Sequence, residues 1–207
     1  MVDVFKGTTT VAVVCDGGVA LASESRATMG SFIASRTAQK IYQIDDLVGL
    51  TTAGVVGDAQ ALVRMIEVEA RLYRMQRGET LTLKAITSLL SNVLSARRYF
   101  PYMVQLVVGG VDKSGAKVYS LDALGGQIEE HDIVSSGSGS PIAYGVLESQ
   151  YRPGIGIQDG SALAVKAIFN AMKRDSASGD TIELVRITRD GYEVVPDKEI
   201  EEIKASL

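Results

Sequence analysis

An α+β fold with two antiparallel sheets facing one another and helices outside is what this sequence predicts. Three observations lead to it. Short β-branched and apolar runs come in turn-linked pairs, the pattern of antiparallel hairpins. Strands and helices follow in blocks (strands, two helices, strands, two helices, strands, helix) rather than alternating as a doubly wound sheet would. The run from Met103 to Val111 is almost continuously apolar, so that strand needs cover on both faces.

The elements read as follows. Thr8 to Val14 is a strand, Asp16-Gly17-Gly18 a turn, and Val19 to Arg26 the returning strand. Lys40 to Ile44 and Val48 to Ala53 pair about Asp45-Asp46. From Asp58 the period changes: Ala61, Leu62, Met65, Val68, Leu72 and Met75 recur at helical spacing up to Arg77-Gly78. Thr82 opens a second helix carrying Leu83, Ile86, Leu89, Leu90 and Val93 on one face, with Pro101 beyond its end. Strands are expected at Met103 to Val111, Lys117 to Leu121 and Gln127 to Val134, then helices at Pro141 to Tyr151 and Gly160 to Arg174. Thr181 to Thr188 and Tyr192 to Val195 form a last strand pair, and Pro196 suits the first position of a short charged helix. The chain shows no linker or repeat, so one domain is the simplest organisation for its 207 residues.

Composition excludes several functions. The net charge is -4, with both signs interspersed, so the basic stripe of a nucleic-acid binder is missing. No apolar run approaches the length of a membrane span. The apolar fraction of 46% is high and points to surfaces covered by partner subunits. The one cysteine, Cys15, cannot pair within the chain, which fits a reducing, cytoplasmic setting. The one histidine, His131, lies in Glu129-Glu130-His131-Asp132, a solvated turn or strand edge. A Ser–His–Asp triad or a common zinc site is therefore not expected, and no cofactor is implied.

A different nucleophile is available. Gly7-Thr8-Thr9-Thr10 opens the first strand. Cutting after Gly7 would leave Thr8 with a free α-amine beside its own hydroxyl. Such an amine titrates at about 7.7–8.0, close to the ideal for a general base at neutral pH, so nucleophile and base would be one residue. Lys40, if it points inward beside Thr8, needs a carboxylate. Glu24 is the candidate, and Arg26 could hold that carboxylate in place. The N–H of Gly54 could face a reacting carbonyl, although on its own an ordinary turn glycine is the favoured reading. Ser135-Ser136-Gly137-Ser138-Gly139-Ser140 reads as a flexible loop or anion nest without the Gly-Lys-Ser/Thr of a phosphate loop. Arg174-Asp175-Ser176-Ala177-Ser178-Gly179-Asp180 reads as a capped loop after a helix.

Taken together, these segments resemble the proteasome β-subunit family, most closely its archaeal type, from Gly7 to about Val195. The resemblance rests on Gly7-Thr8-Thr9-Thr10-Val11, Glu24-Ser25-Arg26-Ala27-Thr28, Lys40, and Thr52-Ala53-Gly54 with Gly57-Asp58. It rests further on Ser136-Gly137-Ser138-Gly139-Ser140, Tyr144-Gly145-Val146-Leu147-Glu148-Ser149 and Arg174-Asp175-Ser176-Ala177-Ser178-Gly179. It implies a four-layer αββα fold of the N-terminal-nucleophile hydrolase class and a threonine endopeptidase. Residues 1–7 would be a leader removed by the chain itself, and 8–207 the catalytic domain. Thr8 matches the catalytic threonine, Glu24 the acidic position, Lys40 the active-site lysine and Gly54 the oxyanion donor. Ser138, Asp175 and Ser178 match the polar residues around the threonine amine. Ala27, Thr28, Ala38, Thr52 and Val56 match the substrate pocket, with Tyr42 and Gln60 nearby. The implied assembly is two stacked heptameric β rings between rings of α subunits, fed with unfolded polypeptides by a regulatory ATPase, with no nucleic acid or membrane involved. Asp180 stands where many members carry a second glycine, a departure from which little consequence is expected. A catalytically silent structural subunit and a small-molecule amidase of the same nucleophile class are the alternative readings.

Overall fold

The computed structural model describes residues 7–206. The chain runs β1 (Thr9–Cys15), β2 (Gly18–Glu24), β3 (Ala27–Met29), β4 (Phe32–Ser35), β5 (Ile41–Asp45) and β6 (Val48–Gly54). Helices α1 (Val56–Arg77) and α2 (Leu83–Ala96) follow, then β7 (Val104–Asp112), β8 (Gly115–Leu121), β9 (Gln127–Glu130) and β10 (Ile133–Gly137). The chain continues with α3 (Ser140–Gln150), α4 (Ile157–Arg174), β11 (Ile182–Thr188), β12 (Gly191–Val194) and α5 (Asp197–Ala205). One five-stranded sheet has the order β10-β1-β2-β11-β12 and the other β5-β6-β7-β8-β9, with β3 and β4 forming a separate ribbon. Every strand pair in these sheets is antiparallel.

Side-chain alternation builds four layers. Val11, Val13, Ala20 and Ala22 point outward onto Leu147 of α3, Leu163 and Ile168 of α4 and Ile200 of α5. Their neighbours Ala12, Val19 and Leu21 point the other way, into a layer shared with Val107, Val118 and Val185. The second sheet sends Leu50, Leu106 and Val108 outward onto Leu62 and Ile66 of α1 and Ile86 and Leu90 of α2. The result is the expected αββα sandwich. Leu21 keys the two sheets together. Gly49 and Gly109 are register partners on β6 and β7. A Cβ on Gly49 would lie 2.7 Å from Leu21 Cδ1, and one on Gly109 3.0 Å from Leu21 Cδ2. The two glycines form the hole that the leucine fills.

The helix limits follow local chemistry. Thr82 caps α2 by accepting from the Ala85 N–H at 3.2 Å. Gly78 closes α1 in the left-handed region, its N–H returning to the Arg74 carbonyl at 2.8 Å.

Several expectations need correction. The stretch Gln127 to Val134 changes sheets: β9 pairs with β8, whereas β10 crosses over to pair with β1. The bend between them contains exposed His131. The β3–β4 ribbon was not anticipated, because its alternation is short and its apolar residues Met29 and Phe32 are exposed. Helix α4 starts three residues before Gly160, which lies inside it; a Cβ there would overlap Cys15 Sγ, so the glycine lets helix and sheet approach closely. Ser135 to Gly137 end a strand and Ser140 begins a helix, so little of that serine-rich stretch is loop. Pro196 caps α5 rather than occupying its first turn.

The keying of the sheets has a measurable consequence. Leu21→Ala should cost about 2–5 kcal/mol through the cavity it leaves, and Gly109→Val about 1–3 kcal/mol through overpacking. Denaturant unfolding of both variants checks this; a Gly109→Val midpoint equal to the parent's would remove the hole from the account.

Candidate active site

Thr8 lies immediately before β1, buried, at the end of the sandwich where β2, β5 and β10 also present their termini. Gly7 precedes it with φ +95°, and a Cβ there would overlap Thr28 Oγ1, so only glycine fits. The Thr8 hydroxyl donates to the Gly7 carbonyl oxygen at 2.6 Å, and Lys40 Nζ donates to the same oxygen at 3.2 Å. The carbonyl of the expected cut therefore carries two donors.

Lys40 and Glu24 form an ion pair whose side chains are 6% and 0% exposed. Lys40 Nζ also donates to the Arg26 carbonyl at 2.6 Å. The second carboxylate oxygen, Glu24 Oε2, accepts from the backbone N–H groups of Arg26 at 2.7 Å and Gly179 at 2.9 Å. Glu24 Oε1 accepts from the Thr9 N–H at 3.0 Å. Burial lowers the Lys40 pKa from the ordinary lysine value, and the Glu24 charge opposes that shift. The Arg26 guanidinium does not hold Glu24, as the sequence suggested it could. It pairs with Asp180 at 2.9 Å and donates to the Ser176 carbonyl at 3.0 Å, while the main chain of Arg26 serves Glu24 and Lys40.

A second network surrounds the Thr8 nitrogen. Its N–H donates to Ser138 Oγ at 3.4 Å, and that hydroxyl donates to Asp175 Oδ2 at 2.6 Å. Ser178 Oγ donates to the same Asp175 oxygen at 2.7 Å and lies 2.6 Å from Thr9 Oγ1. The structure thus brings Thr8, Glu24, Lys40, Ser138, Asp175 and Ser178 into one constellation.

Two cavities meet at Gly7 and Thr8. One, of about 60 Å³, is lined by Ala27, Thr28, Ala38, Thr52 and Val56, together with Tyr42 and Ala59. Among the described residues Lys40 is the one charged residue lining it, and its charge is matched by Glu24. Gln60 is exposed on α1 and absent from the lining; the helix turns its neighbour Ala59 inward instead. Thr28 Oγ1 is buried beside Gly7 and has no hydrogen-bond partner among the described residues. The other cavity, of about 280 Å³, is lined by Ala53, Gln105, Gly137 and Ser138. Gly54 lines both, at φ +116°.

Sequence reasoning assigns no site role to Thr9, Gly179 or Gln105, and notes Asp180 only as a departure of little consequence. The first two act through backbone N–H groups or an ordinary strand hydroxyl, which leave no signal in residue type. Gln105 sits in an apolar strand, where one polar residue among Val104, Leu106 and Val107 is the available hint.

Two facing antiparallel sheets, covered by helices and carrying a threonine at the head of an inner strand, are the architecture of the N-terminal-nucleophile hydrolases. The chain belongs to the proteasome subunit family, whose model matches residues 4–187. It is 81% identical over 207 residues to a proteasome subunit beta of Methanothrix thermoacetophila, covering 100% of both chains. A protein of the same name from Methanohalophilus mahii is 63% identical over 202 residues, 98% of this chain and 96% of its own. One from Archaeoglobus profundus is 61% identical over 204 residues, 99% of this chain and 95% of its own.

The buried pair makes a prediction independent of chemistry. Lys40→Ala leaves Glu24 buried without its ammonium and should destabilise the fold by about 3–5 kcal/mol, whereas the double variant Glu24→Gln/Lys40→Met should lose less. Thermal melts of the two decide it; equal melting points would mean the ion pair is not under that constraint.

Proposed function

We propose that the chain is the catalytic β subunit of a 20S proteasome core, a threonine endopeptidase that first frees its own nucleophile. The observation that carries this reading is the Gly7 carbonyl oxygen, which accepts from both Thr8 Oγ1 and Lys40 Nζ. Ammonium polarisation makes that carbonyl carbon electrophilic, and the hydroxyl adjoins it. Attack of Thr8 Oγ on the Gly7 carbon breaks the peptide bond and forms an ester, and the released nitrogen takes the proton. Water then hydrolyses the ester and frees the residues up to Gly7; Met1 to Lys6 of this leader lie outside the described residues.

The mature site works by the same bond changes on a substrate. The free α-amine of Thr8 accepts the hydroxyl proton while Oγ attacks the scissile carbonyl, and the proton passes to the leaving amine. Lys40, held by Glu24, stabilises the oxygen anion electrostatically, and the Gly54 N–H serves as oxyanion donor. Ser138, Asp175 and Ser178 orient the amine. Until the Gly7–Thr8 bond is cut the nitrogen is an amide and no base, so a free subunit is inert. Family membership supports assembly with other subunits. The finer proposal is two stacked heptameric β rings between α rings, fed unfolded chains by a regulatory ATPase in the cytoplasm. Among the described residues no helix is long and apolar enough to cross a membrane.

Thr8→Ala should assemble with α subunits yet hydrolyse no peptide, and its intact mass should retain the leader that the parent loses on assembly. Peptide hydrolysis by a clean Thr8→Ala particle, or an active parent still carrying residues 1–7, would overturn the mechanism. Cleavage should follow apolar residues, because among the described residues the smaller cavity holds no charge beyond the neutralised Lys40. A peptide-library profile dominated by cuts after Arg or Lys would contradict that assignment.

A further inference from the structure

Asp180 is the one non-glycine among the described residues with a positive φ, +72°. Such a conformation is strained for an L-residue and is borne best by Asp, Asn and Gly. The side chain shows what holds it there. Its carboxylate, 11% exposed, accepts from Arg26 Nε at 2.9 Å and lies 3.8 Å from Arg36 Nε. The guanidinium holds the Asp180 carboxyl below the usual carboxylate range. Gly179 packs its Cα against the Arg26 guanidinium, leaving no space for a Cβ. On the far side of Asp180, Thr181 is tied to Ser25: its N–H donates to Ser25 Oγ at 3.0 Å, and its carbonyl accepts from the Ser25 N–H at 3.1 Å.

Both partners of this clamp also supply the Glu24–Lys40 pair. Arg26 provides an N–H to Glu24 and a carbonyl to Lys40. The segment ending at Asp180 provides the Gly179 N–H to Glu24 and, through Ser178 and Asp175, the contacts to Thr9 and Ser138. We infer that Asp180 is a positioning residue for the threonine site: its bridge to Arg26 sets where the Arg26 carbonyl and the Gly179 N–H meet the buried ion pair. On this inference the aspartate at a position where many members carry glycine has a consequence for the site. The inference rests on the reading of Thr8 as nucleophile.

Glycine is the informative replacement, since it accepts φ +72° more readily than aspartate and removes only the bridge. In assembled particles, Asp180→Gly should lower kcat for an apolar peptide substrate about tenfold, equivalent to ~1.4 kcal/mol, with KM changed less than twofold. Asp180→Asn, which keeps an oxygen acceptor for Arg26 Nε and tolerates the backbone, should recover kcat to an intermediate value. A purely structural role would lower the melting temperature or the yield of particles without this kcat-only pattern. Parent-like kcat in Asp180→Gly, or a loss confined to KM, would overturn the inference. Should Asp180→Gly fail to assemble, the Asp180→Asn particle decides by the same criterion. Thr8→Ala assayed in parallel separates the levels: activity there removes the nucleophile reading itself, whereas a dead Thr8→Ala beside a normal Asp180→Gly removes only the role of Asp180.

Discussion

The buried ion pair between Glu24 and Lys40 is the constraint around which this end of the molecule is organised. Two charges withdrawn from water are tolerable only when nearly every donor and acceptor finds a partner. Lys40 has three N–H groups and three acceptors: Glu24, the Arg26 carbonyl and the Gly7 carbonyl. Glu24 accepts from Lys40 and from the backbone N–H groups of Thr9, Arg26 and Gly179. These groups come from the start of β1, the end of β2 and the segment leading into β11. Satisfying one pair therefore draws three separate pieces of chain to a single point, and the lysine's last donor reaches the carbonyl beside Thr8.

The pair also ties the two sheets. Glu24 ends β2 in the first sheet and Lys40 directly precedes β5 in the second. Three residues before Glu24, Leu21 enters the hole formed by Gly49 and Gly109 on the facing strands. Apolar packing sets the spacing and register of the sheets, and a shift of one residue on β2 would move Leu21 to the helix side and carry Glu24 away from Lys40. The non-directional term thus holds in place the directional one. A polar seam joins them: Thr10 Oγ1 lies 2.8 Å from Ser136 Oγ and accepts from Thr51 Oγ1 at 3.0 Å, linking β1, β10 and β6.

Periodicity made most of the fold legible. The strand pairs, the amphipathic α1 and α2 and the buried β7 each bury one face or two, and residue type records that directly. The switch of β10 between sheets leaves no such record, because Gln127 to Val134 shows strand chemistry on both sides of the crossing. The β3–β4 ribbon was hidden for the opposite reason: its apolar side chains are exposed, so alternation does not mark a core face. In the site, the side chains proposed to carry the chemistry stand out by type and by resemblance. What did not stand out was the main chain. The N–H groups of Thr9 and Gly179 and the carbonyl of Arg26 are invisible to residue identity, and Arg26 was assigned the wrong partner because its charge suggested Glu24 while its backbone did that work.

The hydroxyl network beside Thr8 has a defined proton direction. Asp175 Oδ2 accepts from Ser138 at 2.6 Å and from Ser178 at 2.7 Å; the Thr8 carbonyl is also within reach of Ser138 Oγ, but at 3.4 Å, so the short, charge-assisted bonds to the carboxylate take each serine's only proton. Ser138 Oγ is then left as an acceptor toward the Thr8 nitrogen, and Ser178 Oγ as an acceptor toward Thr9 Oγ1. An amide nitrogen uses such an array poorly: it has one N–H, and here that N–H meets Ser138 at 3.4 Å. A free α-amine has more hydrogens to offer and becomes cationic once it has taken a proton. Oxygen acceptors anchored on a carboxylate stabilise that cation more than the neutral form. The array is therefore matched to the nitrogen that Thr8 would carry after the Gly7 bond is cut, and to its protonated state, which is the state a general base reaches as it acts.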